Sequence, residues 1–304
     1  MIGVMVNVKL FKILVNSLKI IINYYNIFIM KRREFVKYIG CGCCSFSLAS
    51  CSSAPITNRK QITFYPESVI NSKAAQAYEK FKKKAKISKD TETLKLIKSI
   101  GSKMEVAISS YFKMKKIKDP TENFKWEYTL VDDDKMLNAW CMPGGKIAVY
   151  SGILKVTKNE DGLANVMGHE IAHAVAKHSV ERMSASLALN LGTTVADIFL
   201  GGAISRTRNT IGKTTGVDVL QVGVFNPFTR SQETEADYLG LAFCSLTGYS
   251  LYEGAELWKR MREENKGKEP PQFLSTHPSS TNRIAQIRSW IPSIRKNFPK
   301  LKTV

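Results

Sequence analysis

The sequence predicts an α+β fold in which a mostly helical body carries a small antiparallel β-sheet. Apolar residues recur at three- and four-residue steps over 68–117 and again beyond residue 230, which is the spacing of one helix face. Between these regions, residues 126–150 contain three short runs typical of strands, separated by turn residues. A chain of 304 residues, of which 44% are hydrophobic and 23% charged, is long enough to bury a core of this kind.

The predicted elements follow one another along the chain. Residues 52–67 are expected to form an extended leader, and helix continues from there until Asp119-Pro120 ends it. Three strands are predicted at Trp126–Val131, Leu137–Cys141 and Ile147–Tyr150. Helices are predicted to begin near Asn159–Asp161, to contain Thr234–Gly248, and to cover Tyr252–Glu264 and 281–291. The apolar stretch 183–225 fits a buried core helix, which we favour, or a segment that covers a cleft or touches a membrane.

The chain is strongly basic, with a formal net charge of +19. Part of the excess lies in the first 50 residues, and the rest is spread through segments such as 79–88 and 295–302. A basic surface suits anionic membrane headgroups or nucleic acid on electrostatic grounds. The sequence shows no nucleic-acid motif, so we interpret the charge as a solvated basic surface and expect no nucleic-acid partner.

The cysteine spacing argues against a disulfide framework and against a zinc ribbon. Four of the six cysteines lie between Cys41 and Cys51, and only Cys141 and Cys244 lie in the body of the chain. Two buried free thiols are therefore predicted in the body, and a single Cys141–Cys244 disulfide is the alternative.

Residues 1–51 have the layout of an export signal that ends in a lipidation site. The basic run 31–37 precedes a segment of apolar and small residues, which is the order found in secretory signals. Arg32 and Arg33 resemble a twin-arginine signal, and Leu48–Cys51 more strongly resembles a bacterial lipobox. We therefore expect a lipidated Cys51 to anchor the chain to a membrane, on the periplasmic side of a bacterial cell envelope and at the outer membrane.

Residues 1–29 fit this export signal poorly. Lys9, Lys12 and Lys19 interrupt their apolar run, so they also make an imperfect transmembrane helix. We predict that translation begins at Met30, and an N-terminal membrane anchor is the alternative. The expected organisation is an export signal over 1–51, a leader over 52–67 and one folded domain over 68–304.

The segment His169-Glu170-Ile171-Ala172-His173 carries the most information about function. Residues four apart on a helix share a face, so both imidazoles can bind one metal ion. Glu170 lies about 100 degrees around the helix from His169, where its carboxylate can reach a metal-bound water. Zinc lowers the pKa of such a water from about 15.7 towards about 7, so a carboxylate can take its proton. The pattern predicts one zinc ion per chain, and a helix with two ordinary histidines is the alternative.

A catalytic zinc needs a third protein ligand and an open position for water. Glu233 and Asp237 share a helix face, so Glu233 can bind the metal while Asp237 orients a liganding imidazole. His178 follows His173 by five residues, which turns it off the shared face, and we predict a solvated or capping residue. Glu235 points elsewhere on its helix and is predicted to be solvated.

Together these segments resemble the gluzincin metallopeptidases of the CAAX prenyl protease and HtpX family. The resemblance is carried by HEIAH at 169–173, SQETEAD at 231–237 and STHPSSTNRI at 275–284. Bacterial periplasmic lipoprotein peptidases and mitochondrial Oma-type proteases are the most similar members, through Thr57–Gln61 and Asn138–Gly145. The likeness spans roughly residues 56–292, and the membrane-spanning helices of the prenyl protease and HtpX have no counterpart after residue 51.

The resemblance implies a zincin-type domain that cleaves misfolded or unassembled cell-envelope proteins. A protein or peptide substrate is expected to lie in extended form beside the strand at 137–141, where Asn138 and Ala139 would contact it. His277 is expected beside the active site, where a hydrogen-bond donor supports the negative oxygen of the transition state. A histidine that only caps a turn is the alternative. Arg283 could instead bind substrate and supply the donor, although an exposed helix arginine is the ordinary interpretation.

A second hypothesis makes the chain a chaperone-like lipoprotein that assists outer-membrane assembly, with a structural or latent metal site. The intact HEIAH segment argues against an inactive enzyme, because loss of Glu170 would be the simplest inactivation. The sequence allows both activities in one protein. Cleavage of a test protein, with and without a chelator, would separate the two hypotheses.

Overall fold

The computed structural model describes residues 51–186, 227–264, 272–277 and 282–302. The chain divides into two units between Cys51 and Ser52, and all described residues except Cys51 belong to the second unit. Residues 183–186 are helical, but the rest of the apolar stretch 183–225 lies outside the described residues. Its two interpretations therefore remain predictions.

The leader and the first helices follow the predicted order. The leader contains a two-stranded sheet of β1 (Cys51–Ser53) and β2 (Lys60–Ile62), and α1 (Glu67–Lys84) and α2 (Thr91–Lys115) come after it. Asp90 caps α2 by accepting a hydrogen bond from the backbone N–H of Thr93. The helical prediction for 68–117 is confirmed, with a break at 85–90 that the apolar periodicity does not show.

A three-stranded sheet follows, with β3 (Glu127–Val131), β4 (Ala139–Met142) and β5 (Lys146–Tyr150) in the order β3-β5-β4. Strands β4 and β5 are antiparallel, and Gly144 and Gly145 supply the left-handed φ values of +80° and +79° in the turn between them. Strand β5 inserts between the two earlier strands and pairs with β3 in parallel. The sheet is therefore mixed: its β4–β5 pair is antiparallel as predicted, whereas its β3–β5 pair is parallel.

Besides a helical stretch over 178–186, the described residues form six further α-helices after the sheet. They are α3 (Leu154–Thr157), α4 (Glu160–Val175), α5 (Arg230–Thr247), α6 (Tyr252–Glu264), α7 (Gln272–Thr276) and α8 (Arg283–Asn297). Helix α4 begins where the Asn159 side chain accepts from the backbone N–H of Gly162. Helix α5 begins with a capping box between Thr229 and Gln232, and it ends at Gly248 in the left-handed conformation. These boundaries agree with the predicted helices.

Helices α4 and α5 cross at two glycines, which brings their backbones into direct contact. A Cβ atom on Gly240 would lie 2.8 Å from the backbone nitrogen of His169, and one on Gly168 would lie 3.0 Å from the carbonyl oxygen of Gly240. Every residue from Gly162 to Val175 of α4 is buried. This close crossing places the acidic face of α5 against the histidine face of α4.

The predicted α+β class, with its mostly helical body, is confirmed. Cys141 and Cys244 are both buried and unpaired, so the prediction of two free thiols is also confirmed. Within the described parts of the chain, no helix has the length and apolar character needed to cross a membrane.

Candidate metal centre

Four buried side chains converge where α4 crosses α5. His169 and His173 on α4, Glu233 on α5 and His277 after α7 offer ligand atoms that all lie within 4.8 Å of one another. The Nε2 atoms of His169 and His173 are 3.1 Å apart. Glu233 places Oε2 3.6 Å from Nε2 of His169 and Oε1 3.4 Å from Nε2 of His173. The structure thus brings together the three side chains that the sequence singles out as ligands.

The spacing of these atoms fits a tetrahedral zinc ion. Zinc–nitrogen bonds of about 2.0–2.1 Å place neighbouring ligand atoms about 3.3–3.4 Å apart at tetrahedral angles. The two imidazole Nε2 atoms lie 3.1 Å apart, and each lies 3.4 or 3.6 Å from one of the two carboxylate oxygens of Glu233. Imidazole and carboxylate are also donors that zinc prefers. The residues present therefore match the ion in both chemistry and spacing.

Nδ1 of His169, which we call its outer nitrogen because Nε2 faces the other ligand atoms, lies next to the carboxylate of Asp237, and Arg283 binds that carboxylate. Nδ1 of His169 lies 3.0 Å from Oδ1 of Asp237, and Arg283 donates to both Asp237 oxygens at 2.6 and 2.7 Å. Nη2 of Arg283 also lies 3.0 Å from Oε2 of Glu233, and the guanidinium stacks 3.4 Å from the centre of the Trp258 ring. Arg283 is only 3% exposed, so the interpretation as an exposed helix arginine is wrong. These contacts with α5 give no support to the expectation that Arg283 binds substrate.

The outer nitrogen of His173 leads to a second chain of buried polar groups. Nδ1 of His173 lies 2.9 Å from Nδ1 of His178, and Nε2 of His178 lies 2.9 Å from Oε2 of Glu235. His178 is 0% exposed and Glu235 is 6% exposed, so the predictions that these two residues are solvated are wrong. The reason is that α4 ends at Val175, and Lys177, with a φ of +60°, turns the chain before a new helical stretch over 178–186. The helical spacing assumed for His178 therefore does not apply.

Arg59 of the leader also reaches this chain of polar groups. Its Nε atom donates to Oε2 of Glu235 at 2.5 Å, although 176 residues separate the two in sequence. Arg59, His178 and Glu235 are not identified as parts of the site from the sequence. The resemblance over Thr57–Gln61 was the one signal in the sequence for the leader, and it carries no information about what the leader contacts.

Burial and neighbouring charges give the two α4 imidazoles different proton affinities. Burial alone would lower the pKa of His169, but the carboxylates of Asp237 and Glu233 raise it to about 9. Burial lowers the pKa of His173 well below its ordinary value, and it also lowers the pKa of His178. In the metal-free protein at neutral pH, His169 therefore holds an extra proton whereas His173 is neutral.

Glu170 is buried on the side of the cluster that faces β4. Burial raises the pKa of its carboxyl group, which suits a proton acceptor that works near neutral pH. Glu170 lines a small cavity together with Asn138, Ala139 and His277. The structure thus places the residues expected to contact substrate beside the residue expected to activate water.

His277 has one ring nitrogen on each side of the centre. Nδ1 lies 2.9 Å from Oε1 of Glu233 and 3.3 Å from Nε2 of His169, whereas Nε2 lies 3.4 Å from a carboxylate oxygen of Glu170. The ring stacks on Phe228, at 5.2 Å between ring centres. The sequence predicts a hydrogen-bond donor here, and the same imidazole also lies within reach of the expected metal ligands Glu233 and His169.

A helix with His-Glu-x-x-His, and a glutamate from a second helix beside it, define a zinc metallopeptidase of the gluzincin type. The chain belongs to Peptidase family M48, whose family model matches residues 100–291. Members of this family are zinc-dependent metallopeptidases, so the predicted family and cofactor are confirmed.

Three relatives illustrate the similarity. Mitochondrial metalloendopeptidase OMA1 of Schizosaccharomyces pombe is 39% identical over 174 residues, which cover 56% of this chain and 48% of the relative. Its namesake in Saccharomyces cerevisiae is 34% identical over 195 residues, or 60% and 53% of the two chains. The putative beta-barrel assembly-enhancing protease of Vibrio cholerae is 30% identical over 173 residues, or 56% and 34%.

The chain thus spans about half the length of the OMA1 relatives that it matches. Both of these relatives are mitochondrial by name. The predicted location on the periplasmic side of a bacterial cell envelope is therefore wrong.

Proposed function

We propose that the chain is a zinc-dependent metalloendopeptidase in which His169, His173 and Glu233 bind the ion and Glu170 activates the attacking water. The observation that carries the proposal is the set of ligand distances between 3.1 and 3.6 Å, with Glu170 next to His169 on α4. Bound zinc polarises the substrate carbonyl and lowers the pKa of a water molecule.

The position and the proton affinity of Glu170 support the role proposed for it. It is buried, and its raised pKa matches that of a group which accepts a proton from water and passes it to the leaving amine. His277, at 3.4 Å from Glu170, is placed to donate a hydrogen bond to the negative oxygen that develops in the transition state. Asp237, at 3.0 Å from His169, orients that imidazole.

The substrate is proposed to be an extended polypeptide that pairs with β4. Among the described residues, β4 lies at the edge of its sheet, and Asn138 and Ala139 line the cavity that also contains Glu170. An edge strand offers unpaired backbone groups to a peptide and binds it largely independently of sequence. This suits misfolded or unassembled membrane proteins, and the name of the Vibrio cholerae relative as a beta-barrel assembly-enhancing protease supports the same class.

Attachment to a membrane through an acylated Cys51 is a separate proposal, supported by the resemblance of Leu48–Cys51 to a lipobox. The intact mass of protein purified from its native membrane fraction tests it. A species that begins at Cys51 and carries acyl mass is expected. An unmodified species that retains residues upstream of Cys51 would contradict the proposal.

Cleavage of casein by the full chain tests the catalytic proposal, with zinc content measured on the same samples. Wild-type protein is expected to cleave casein and to stop when a chelator removes the metal. Glu170→Gln is expected to keep its zinc and lose cleavage, because Gln cannot take the proton of the water. Loss of zinc from Glu170→Gln, or near-wild-type turnover, would show that the roles are assigned wrongly. A zinc-loaded wild-type protein without any peptidase activity would favour the chaperone-like alternative.

A further inference from the structure

The leader segment, residues 57–61, lies against the metal centre from the side of His173. Gln61 is buried and donates from Nε2 to the backbone carbonyl of Ala176 at 2.5 Å, directly after the end of α4. Thr57 donates its hydroxyl to Oε1 of Glu235. Arg59 donates to Oε2 of the same carboxylate at 2.5 Å. Three side chains of one short segment thus converge on the two elements next to His173.

Arg59 is held from a second direction as well. Its Nη1 and Nη2 atoms donate to the two oxygens of Glu181 at 2.9 and 2.8 Å. Glu181 belongs to the helical stretch 178–186 and also accepts a hydrogen bond from Gln232 of α5 at 2.8 Å. A bidentate pair of this kind fixes the plane of the guanidinium, so the direction of its Nε–H towards Glu235 is fixed too.

The donors and acceptors between Arg59 and His173 allow one consistent assignment of protons. An arginine can only donate, and the ionised carboxylate of Glu235 can only accept. Nε2 of His178 must therefore carry a proton, which leaves Nδ1 of this neutral imidazole as an acceptor. Nδ1 of His173 must then carry the proton between the two rings. The lone pair of His173 is left on Nε2, which faces His169 and Glu233.

Metal binding imposes the same assignment from the other end of the relay. A metal ion binds an imidazole nitrogen through its lone pair, so an ion on Nε2 leaves the single ring proton of His173 on Nδ1. Nδ1 of His178 must then accept the hydrogen bond from His173, and Nε2 of His178 donates to Glu235.

We propose that Arg59, Glu235 and His178 form a relay of hydrogen bonds that holds His173 in the tautomer and ring orientation needed to bind zinc. The proposal rests on the proposed role of His173 as a ligand. All three are positioning residues that act through His173. The leader segment ends 99 positions before the first residue of α4, yet it is thereby a working part of the metal centre.

Zinc affinity of the full chain, measured by competition with a chromophoric chelator, tests the relay independently of peptidase activity. The loss of an outer hydrogen-bond partner typically lowers metal affinity about 10- to 100-fold. We expect a loss of that size for His178→Ala. A smaller loss is expected for Arg59→Ala, because Thr57 still donates to Glu235. His178→Gln is expected to recover part of the affinity, since its amide oxygen can accept the N–H of His173.

Lys60→Ala is the matched control, because Lys60 lies in the same segment but its side chain is exposed. It should bind zinc as the wild-type protein does. Melting temperatures of the metal-free proteins separate an effect on the orientation of His173 from an effect on folding. Relative to His178→Ala, we expect His178→Gln to recover zinc affinity without a matching recovery of melting temperature.

The outcomes separate the two proposals. Wild-type zinc affinity in His178→Ala overturns the relay, whatever the melting temperature. An affinity loss in Lys60→Ala as large as that in Arg59→Ala also overturns it. If His178→Ala does not fold, Arg59→Ala decides, because Arg59 is partly exposed and keeps less of the core together. A wild-type chain that binds no zinc, or a His173→Ala variant with wild-type affinity, instead contradicts the proposed function.

Discussion

His169 and His173 stand one turn apart on α4, but their outer nitrogens are held in different ways. His169 meets the carboxylate of Asp237 directly at 3.0 Å, and Arg283 binds both oxygens of that carboxylate. His173 reaches the carboxylate of Glu235 only through the imidazole of His178. We call these the direct and the indirect relay. Both relays end in a carboxylate that an arginine binds, so each provides a fixed acceptor at the end of its chain of hydrogen bonds.

The different lengths of the relays follow from the geometry of α5. Glu233 and Asp237 are four residues apart and share the face that meets α4, so Asp237 touches His169 without a bridge. Glu235 lies between them in sequence and points to another side of the helix, towards the leader. A bridging side chain is therefore needed, and His178 supplies it because α4 ends at Val175 and the left-handed Lys177 redirects the chain.

The length of each relay also sets the proton affinity of its ligand. Burial alone would lower the pKa of His169, but the carboxylates of Asp237 and Glu233 raise it to about 9. In the indirect relay, His178 separates His173 from Glu235, and the effect of burial prevails and lowers the pKa of His173. Asp237 therefore orients His169 and also favours its protonated form. Glu235 acts on the orientation of His173 through His178, and His173 stays neutral.

The largest expected effect is the loss of stability on breaking the direct relay. Asp237→Ala leaves the guanidinium of Arg283 buried with one partner fewer, and breaking a buried ion pair costs about 3–5 kcal/mol. Glu235→Ala should cost about 1–3 kcal/mol, because Arg59 is partly exposed and keeps Glu181. Denaturant unfolding of the metal-free proteins measures both. Equal losses in the free energy of unfolding for Glu235→Ala and Asp237→Ala would contradict the prediction that the direct relay contributes more to stability.

A second prediction uses pH to separate the relays. The pKa of metal-free His169 is about 9, so at lower pH the ring holds an extra proton that zinc must displace. Raising the pH removes this proton, which competes with zinc for the imidazole. Apparent zinc affinity should rise about tenfold per pH unit between about pH 6 and 8, as expected when one proton is released. In Asp237→Asn the pKa of His169 loses its main raising charge, so the rise should level off at lower pH.

His178→Ala is the control for that pH experiment. His173 is neutral across this range, so the variant should show weaker zinc binding with the same slope as the wild-type protein. Equal slopes in the wild-type protein and Asp237→Asn would show that the direct relay does not charge His169.

Local spacing explains why the direct relay could be predicted from sequence and the indirect one could not. His169, His173, Glu233 and Asp237 form two pairs four residues apart, and each pair needs only helical geometry to share a face. The prediction for His178 assumes that α4 continues, but α4 ends at Val175 and the left-handed Lys177 changes the direction of the chain.

Long-range contacts account for the other differences. Arg59 and Glu235 are 176 residues apart, and no periodic pattern links the leader to α5. Arg283 lies at the start of a helix where exposure is ordinary, yet it is buried because two α5 carboxylates surround it. The alternation of apolar residues identifies the strands β3 and β5, but it does not contain their parallel pairing. Pairing and ion-pair partners depend on tertiary structure, which a single sequence does not specify locally.

The smallest expected effect comes from the glycine crossing of α4 and α5, which lies beside the direct relay. A Cβ atom at position 240 would lie 2.8 Å from the backbone nitrogen of His169, closer than side-chain and backbone atoms approach in proteins. In Gly240→Ala the two helices must separate, and overpacking of this kind costs about 1–3 kcal/mol. The distance between His169 and Asp237 should increase with the separation, whereas the indirect relay is anchored by the leader.

Denaturant unfolding and chelator competition on Gly240→Ala test this expectation, with Ser231→Ala on the exposed side of α5 as the control. Both stability and zinc affinity should fall in Gly240→Ala, and neither should change appreciably in Ser231→Ala. Combining Gly240→Ala with Asp237→Asn should produce less than the sum of the two affinity losses, because both act on the orientation of His169. Fully additive losses would mean that the crossing serves packing alone, and the close approach of the helices would then have no role in the direct relay.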